Sequence, residues 1–384
     1  MSSNREQYEI RKTWIIILLL IPLILPDYFQ SIKIVNDFTV LITGIIFFYL
    51  FGITFMKKEF NIFVIASFIF FIWRSFSSYY FSGGVLDLIN SLRIVTLILL
   101  INITVKRYPK STLQALSILF GTYITLNFIS YFMFSEGLYK TDSFQKGWIL
   151  GIENQFAFLI VPGISLIILY SWYKYNKISL ISWILLIMSV LTVIKAWSAT
   201  AIVSLFFIII SFSLNLKKKI KPVYSFFRLS IIYAVVWLVL VRFNSLESFQ
   251  AIIVDLLNKD LTLSGRTRIW AVVIDAIPQS LWYGYGINTK VLAGVHTYFV
   301  AHNMILQTLL DNGLIGLILL ILCIIIAGFN LQKFRYSRYS VMLLIGIFAI
   351  LIGGLTESYR LNYLFLFLIL SFNISFLDKE TRRQ

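Results

Sequence analysis

Long apolar runs separated by short polar segments recur along the whole sequence. Each run approaches the roughly 20 residues that an α-helix needs to cross about 30 Å of hydrocarbon. The pattern predicts an all-α polytopic membrane protein in which residues 1–384 form a single integral membrane domain. About 12 spans are predicted, over residues 13–31, 37–56, 60–80, 85–105, 112–134, 153–173, 178–194, 199–216, 226–243, 313–331, 339–356 and 361–377.

Two polar segments interrupt this pattern. Residues 135–152 separate the fifth and sixth predicted spans, and residues 244–312 separate the ninth and tenth. The first apolar run follows basic residues as a signal peptide does, but it lacks a small-residue cleavage site and further spans follow it. We therefore interpret it as a retained first helix, and we expect any chemistry outside the hydrocarbon to lie in the 244–312 loop.

The composition supports a membrane protein, since 59% of the residues are hydrophobic and only 13% are charged. Soluble proteins have about 25% charged residues. The net charge is +16, from 33 Lys and Arg against 17 Asp and Glu. A surplus of this size in a soluble chain would indicate nucleic-acid binding, so its position along the chain has to be considered first.

The basic residues alternate between successive ends of the predicted spans. One set of ends holds 21 Lys and Arg with five acidic residues, and the opposite set is net neutral. Cytoplasmic loops of membrane proteins collect Lys and Arg. The sequence therefore predicts a multi-pass protein of the cytoplasmic (inner) cell membrane with both termini cytoplasmic and the 244–312 loop extracytoplasmic. The surplus charge orients the chain, and nucleic acid is not an expected partner.

Two arginines fall inside predicted spans, where a charged side chain is costly. Arg74 and Arg93 lie on consecutive spans joined by a Ser-Gly-Gly turn at residues 82–84, in the outer half of the membrane. Asp87 is the expected local partner. Two interpretations remain open, namely arginines that extend toward the headgroups and pair with Asp87, or arginines that hold an anionic substrate.

The 244–312 loop contains a predicted helix that begins after Ser264 and ends near Pro278. Arg266 and Trp270 lie four residues apart on this helix, so they share a face. An arginine in the first turn of a helix, beside free backbone N–H groups, suits the binding of phosphate oxygens. The alternative is an interfacial helix whose arginines reach lipid headgroups.

A glycine-containing turn and a second short helix follow in the loop. The two glycines in Gly284-Tyr285-Gly286 permit a tight turn or a close backbone approach to a ligand. His302 and Asn303 begin a short helix, and Asn312-Gly313 predicts a break before the tenth span. Imidazole titrates near neutral pH, so His302 is a candidate general base, although an isolated histidine is more often structural.

Metal and nucleotide chemistry find little support in the sequence. The chain has two His, one Cys inside an apolar run, and no cluster of carboxylates at metal-ligand spacing. It also lacks a Walker-type phosphate-binding loop. We expect neither a metal cofactor nor nucleotide hydrolysis.

Taken in order, the motifs around Arg266, Gly284 and His302, with Gly313 and Gly316 just before a span, resemble the O-antigen ligase and polymerase family. The resemblance covers residues 260–320 closely and the remaining spans by hydropathy alone. It implies a GT-C-like membrane glycosyltransferase that acts outside the cytoplasmic membrane on glycans carried by undecaprenyl diphosphate. It also implies that His302 deprotonates the acceptor hydroxyl, that Arg266 holds the donor diphosphate, and that no cofactor is needed. Further candidate substrate-binding residues are Gly265, Arg268 and Asn303.

The sequence departs from the family pattern at one motif. Many members carry Ser-Arg-Gly at the start of a span, where this chain has Trp-Ser-Ala-Thr at residues 197–200. The second family arginine is therefore absent from that position. Candidates to supply its charge are Lys195, Arg74, Arg93 and Arg360, and Arg93 is preferred for its depth in the membrane.

Polymerases and ligases of this family differ in their acceptor. The sequence is rich in Ile, Phe, Lys and Asn and poor in Ala, as expected from an AT-rich genome and a capsule-making Gram-positive cell without lipid A. We therefore predict an inverting polysaccharide polymerase rather than a ligase. The expected partners are undecaprenyl-diphosphate-linked oligosaccharide and the lipid bilayer, with a flippase and a chain-length regulator as further candidates.

A flippase or other transporter of lipid-linked oligosaccharide is the alternative from another functional class. Twelve spans with both termini on one side are common in transporters. Transporter sites, however, lie near the bilayer midplane between two halves of the protein. In this chain the polar residues concentrate in one outer loop instead.

Overall fold

A computed structural model describes residues 2–82, 86–141, 144–215, 224–242, 266–287, 289–292, 300–358 and 360–381. Within these ranges the chain is mostly helical, as the hydropathy pattern predicts. The α-helices are α1 (Ser2–Leu20), α2 (Asp27–Ser31), α3 (Lys33–Met56), α4 (Ile62–Ser82), α5 (Leu86–Arg107), α6 (Pro109–Met133), α7 (Phe156–Tyr175), α8 (Leu180–Ala196), α9 (Ala199–Asn215), α10 (Phe226–Arg242), α11 (Arg266–Ala276), α12 (Met304–Lys333), α13 (Arg338–Gly353), α14 (Leu361–Phe372) and α15 (Ile374–Thr381).

Among the described residues, six helices are long and apolar enough to cross a bilayer. These are Lys33–Met56, Ile62–Phe81, Asp87–Arg107, Pro109–Met133, Glu153–Tyr175 and Met304–Lys333. Five further apolar helices, namely α8, α9, α10, α13 and α14, are shorter. These helices support a multi-pass membrane protein. The count of about 12 spans and the GT-C-like arrangement stay predictions.

The first predicted span, over residues 13–31, is interrupted in the structure. Helix α1 ends at Leu20, and α2 begins at Asp27 directly after Pro26. Pro22 and Pro26 lie in the gap. Proline lacks the backbone N–H that a helix interior needs, and its ring clashes with the preceding turn. The apolar run is therefore a helix, a proline-containing turn and a second short helix, and this turn lines the cavity described below.

The core is built around α7, α13 and α14, whose residues are almost all buried. Helix α3 lies at the periphery and leaves large apolar side chains exposed, with Ile34 81% and Phe48 74% accessible. Exposed apolar faces of this size are expected where a helix contacts lipid. The burial pattern thus separates central helices from a lipid-facing edge.

Residues 139–147 contain a small antiparallel hairpin, the exception to the all-α prediction among the described residues. Its strands are β1 (Tyr139–Lys140) and β2 (Lys146–Gly147). A bridge between Trp148 and Gly151 continues the structure toward α7. The hairpin lies in the polar segment predicted at 135–152, and Tyr139 reaches the ring of Tyr28 in α2.

Ion pairs link the span ends that are predicted to be cytoplasmic. Arg107 at the end of α5 pairs with Glu59 at 2.7 Å, and Lys110 in the first turn of α6 pairs with Glu9 at 2.6 Å. The opposite end of the bundle contains the ends of α4 and α13 and the beginnings of α5, α12 and α14. That end carries the candidate site.

Candidate active site

His302 lies two residues before α12, and the intervening Asn303 fixes the backbone there. The Asn303 side-chain oxygen accepts hydrogen bonds from two backbone N–H groups in the first turn of α12 and from Trp237 of α10. Its amide nitrogen donates to the Leu355 carbonyl at 2.9 Å. Asn303 is fully buried and acts as a helix cap. His302 itself has φ +47°, a left-handed conformation that is costly for a non-glycine residue and recurs at functional sites.

A carboxylate that the sequence analysis did not identify lies between His302 and Arg266. Glu357 Oε2 is 2.9 Å from His302 Nδ1, and Glu357 Oε1 accepts a hydrogen bond from the Arg266 guanidinium. Glu357 is only 6% exposed. Glu357 is the acidic residue of the short connection between the last two predicted spans, and an acidic residue in that connection was the available signal. We call Arg266, His302 and Glu357 the triad.

Helix α11 is fixed against the backbone that precedes His302. Trp270 lies one turn after Arg266, is 2% exposed, and donates its indole N–H to the Ala301 carbonyl at 2.9 Å. The same face of α11 buries Val273 in a small apolar core shared with Leu306. Trp270 thus lies on the buried face, whereas Ile274, which the same spacing places on the face of Arg266 and Trp270, is 40% exposed. The helix ends at Ala276, followed by a 3₁₀ turn that contains Pro278, close to the predicted end.

The turn that contains Gly284 packs closely against the backbone around Gly313. Gly284 has φ +73° and Gly313 has φ +64°, and each lies against the other's chain segment. A Cβ at Gly313 would meet the Trp282 carbonyl at 2.4 Å, and Tyr285 N donates to the Leu310 carbonyl at 2.8 Å. The predicted break at Gly313 is confirmed by its non-helical backbone. The close approach that these glycines allow is to the break in α12, not to a ligand.

A cavity of about 410 Å³ is lined by residues that closely follow two members of the triad in the chain. Arg74, Arg93 and Arg360 line it together with Gln307 and Asp311. Met304 and Ser358 also line it, two residues after His302 and one residue after Glu357. Because successive Cα atoms are 3.8 Å apart, the backbone of His302 and that of Glu357 lie within about 8 Å of residues that line this cavity. Three arginines that the sequence spaces far apart are thus brought to one cavity.

Two of these arginines are held differently. Arg74 donates to Asp87 Oδ1 through Nε at 3.1 Å and Nη2 at 2.9 Å, as the sequence predicts. Arg93 is 9% exposed and donates to the side-chain oxygens of Asn36, at 2.8 Å, and Thr39, at 3.3 Å. Within the described ranges no carboxylate lies within 4 Å of Arg93. Its buried charge is therefore balanced by neutral oxygens alone, which favours binding of an anion.

Arg360 immediately precedes α14 and forms an ion pair with Asp27 of α2. Burial opposes its charged form, but the Asp27 carboxylate outweighs burial and raises the pKa of Arg360 above its ordinary value. Burial, with the charge of Asp27, raises the pKa of Tyr139 to about 12. Arg360 therefore stays cationic and Tyr139 stays protonated around neutral pH.

The remaining predicted residues lie around the triad or outside the described ranges. Arg268 is exposed on α11, and Gly265 lies outside the described residues, as does Ser264. Lys195 donates to the Tyr131 carbonyl at 2.9 Å. Thr200, in the segment where the family carries its second arginine, hydrogen-bonds Thr356 at 2.7 Å, next to Glu357. The departure from the family motif thus falls beside the triad.

Grouped metal ligands are not found in the described part of the chain, where no three His, Cys, Asp or Glu side chains come together. The positively charged groups in this part of the described chain include the guanidinium of Arg266 on α11 and those of Arg74, Arg93 and Arg360 at the cavity. The arrangement offers a histidine oriented by a carboxylate, next to arginines able to contact phosphate oxygens. These groups suit removal of a proton from a hydroxyl and stabilisation of a departing phosphate.

Comparison with known proteins identifies the same region. Residues 183–321 match a family model described as O-antigen ligase, a range that runs from α8 into α12 and contains Arg266 and His302. A general O-oligosaccharyltransferase of Acinetobacter baylyi is 30% identical over 128 residues. That match covers 31% of this chain and 22% of the relative. The resemblance that the motifs indicate is confirmed over residues 183–321, where the chain is similar to the O-antigen ligase family model.

Proposed function

We propose that this protein transfers a glycan from a lipid diphosphate to an acceptor hydroxyl, with the triad as its catalytic centre and the three-arginine cavity as the site of the diphosphate. The observation that carries the proposal is that residues adjoining His302 and Glu357 in the chain line that cavity. A base and a site for the leaving group are adjacent there. The family match supports the reaction class.

His302 is the proposed general base. An ionised carboxylate only accepts hydrogen bonds, so Glu357 requires the proton of a neutral His302 to be on Nδ1. This tautomer carries its lone pair on Nε2, which is the atom that takes the proton of the acceptor hydroxyl. Glu357 also stabilises the imidazolium that results. Glu357 is thus a positioning residue that acts through His302.

The bonds and charges of the step balance without a cofactor. The acceptor oxygen forms a bond to the anomeric carbon, its proton moves to His302, and the bond from that carbon to the phosphate oxygen breaks. The electron pair leaves with the diphosphate, opposite the attacking oxygen, and the anomeric configuration inverts. Arg266, Arg93 and Arg74 stabilise the charge that develops on the diphosphate, an effect that usually supplies a large part of a rate enhancement.

The finer proposal is a polysaccharide polymerase. Its acceptor is the non-reducing sugar of a second lipid-linked repeat unit, and its donor lipid is undecaprenyl diphosphate. The charge distribution along the sequence supports a site on the extracytoplasmic face of the cytoplasmic membrane. Residue usage supports a polymerase, since it fits a cell without lipid A.

Transfer to an acceptor that carries no lipid diphosphate is the second candidate function. The match to a general O-oligosaccharyltransferase favours it, as does the O-antigen ligase family model. Both candidates use the same triad and differ in the acceptor hydroxyl.

Reconstitution of the full chain in liposomes tests these proposals. Purified protein that receives lipid-linked repeat units on the face bearing the site should yield a ladder of longer glycans, and His302→Ala should yield none. Glycan transferred to an added protein or lipid acceptor, with no ladder, would replace the polymerase by the second candidate. Movement of lipid across the bilayer without any glycan transfer would favour a flippase, and a normal ladder from His302→Ala would overturn the proposed base.

A further inference from the structure

Asp311 is a buried carboxylate in the wall of the three-arginine cavity, and the proposed reaction does not use it. It lies in the first turns of α12, just before the break at Gly313, and is 4% exposed. Gln307 Nε2 donates to its Oδ1 at 2.8 Å. A carboxylate in a site for an anion repels that anion, so its presence there requires an explanation.

Charged side chains from several elements surround Asp311 in the wall of the cavity. They are Arg74 of α4 with Asp87 of α5, Arg93 of α5, and Arg360 before α14 with Asp27 of α2. Within the described ranges, Asp311 forms no ion pair shorter than 4 Å. Two of the arginines are neutralised by their own aspartates. Among the described residues, the remaining balance is between the positive Arg93 and Asp311, so with Asp311 ionised this lining is neutral overall.

A diphosphate diester would bring two negative charges into this neutral cavity. Arg93 is arranged to receive one of them, but Asp311 would then face a like charge in a buried setting. Loss of the charge on Asp311 removes that repulsion. Nearby like charges favour the protonated form of a carboxyl group, and burial acts in the same direction.

We propose that Asp311 takes up one proton from solvent when a diphosphate diester enters the cavity, and that it thereby adapts the charge of the site to its substrate. This proposal rests on the proposed function, because it assumes that the cavity receives the donor diphosphate. The protonated carboxyl group also gains an O–H that can donate to a phosphate oxygen.

The hydrogen bonds of Gln307 determine which oxygen carries the proton. Its side-chain oxygen accepts from Ala301 N at 2.6 Å and from the Ser358 hydroxyl at 3.2 Å. Its amide nitrogen is therefore directed at Asp311, and Oδ1 is an acceptor in both protonation states. The proton belongs on Oδ2. Gln307 also connects Asp311 to the residues adjoining His302 and Glu357.

Calorimetric binding of a short-chain diphosphate diester to the full-length protein in nanodiscs tests the proposal. The probe is P1-farnesyl-P2-methyl diphosphate, whose charge is constant between about pH 6 and pH 9. Titrations in two buffers of different ionisation enthalpy give the number of protons taken up. At pH values at which Asp311 is ionised before the diester binds, we expect the wild type to take up about one proton. Over that range its affinity for the diester should fall by up to tenfold for each unit rise in pH.

Two variants and a control assign the proton. Asp311→Asn should bind with no proton uptake and with affinity independent of pH, and Asp311→Glu should retain both effects. Glu136→Gln is the matched control, because Glu136 is 82% exposed on the 135–152 segment, and it should behave as the wild type.

The possible failures are distinguishable. Binding by the wild type without proton uptake across the pH range would overturn the proposal on its own, even if Asp311→Asn does not fold. Uptake that persists in Asp311→Asn would assign the proton to another group and would equally overturn it. In both cases the cavity remains a diphosphate site. Absence of binding by the wild type would overturn the proposed function of the cavity, and this proposal with it.

Discussion

Substitution of Glu357 by Gln isolates the contribution of its charge. The side chain keeps its size and remains in the connection between α13 and α14, but it no longer accepts from both His302 and Arg266 as an anion. The bond to His302 Nδ1 is 2.9 Å long and Glu357 is 6% exposed, so the interaction is only weakly screened by solvent. If His302 is the base, the substitution should slow glycan transfer.

The size of the effect follows from the geometry. A hydrogen bond to a charged group contributes about 1.5–3 kcal/mol. A unit charge pair about 4 Å apart contributes about 4 kcal/mol at the effective dielectric constant of 20 that suits protein sites, which sets an upper limit. Since about 1.4 kcal/mol corresponds to tenfold in rate, kcat should fall by between about 10-fold and 1000-fold. KM should change little, because Glu357 acts through His302.

The assay is the initial rate of glycan transfer in liposomes at saturating donor, with thermal unfolding measured in parallel. Glu357→Asp should recover part of the rate, and Glu136→Gln should leave it unchanged. In a His302→Ala background, Glu357→Gln should cause little further loss, since both act on one proton transfer. A kcat within twofold of the wild type, or an equal loss with and without His302, would refute the role assigned to Glu357.

Three further predictions follow from the site. Arg93→Gln should weaken binding of a diphosphate diester by about 10-fold to 100-fold in calorimetry, because a charged hydrogen-bond donor is lost. The control Lys146→Gln should bind as the wild type does. Equal affinities of Arg93→Gln and the wild type would exclude Arg93 from the site. Gly313→Ala should lower Tm through about 1–3 kcal/mol of backbone strain and the clash at 2.4 Å, and Gly52→Ala, where a Cβ has open space, should not. Asn303→Ala should remove a helix cap of about 0.5–2 kcal/mol and slow transfer; an unchanged rate would show that the cap does not position His302.

The hydropathy pattern predicted the helical membrane fold because an apolar run must be helical to satisfy its backbone in lipid. It located one break wrongly, since residues 13–31 read as one span although Pro22 and Pro26 interrupt the helix. A proline disrupts a helix within a turn of its own position, so these two prolines could have been used to predict the interruption. The short hairpin at 139–147 had no comparable signal, because two-residue strands are too short to produce an alternating pattern.

The motifs around Arg266 and His302 depend on residues that are close in the chain, so they could be identified from the sequence. A cap, a helix face and a glycine break each involve residues within a few positions of one another. Glu357 was missed for the opposite reason. It lies 55 residues from His302 and 91 residues from Arg266, and nothing in the spacing shows that a connection between two late helices meets the start of α12.

The sequence by itself determined the class of protein, the predicted orientation from its basic residues, and the motifs that carry the family resemblance, because these depend on composition and on neighbours along the chain. Only the tertiary structure decided that Arg74, Arg93 and Arg360 line one cavity and that Glu357 joins His302 to Arg266. Helix packing makes these contacts, and packing depends on the shapes of whole faces rather than on spacing. The same packing placed Asp311 in the wall of the cavity that those arginines line, and this position is the basis of the proposed proton uptake.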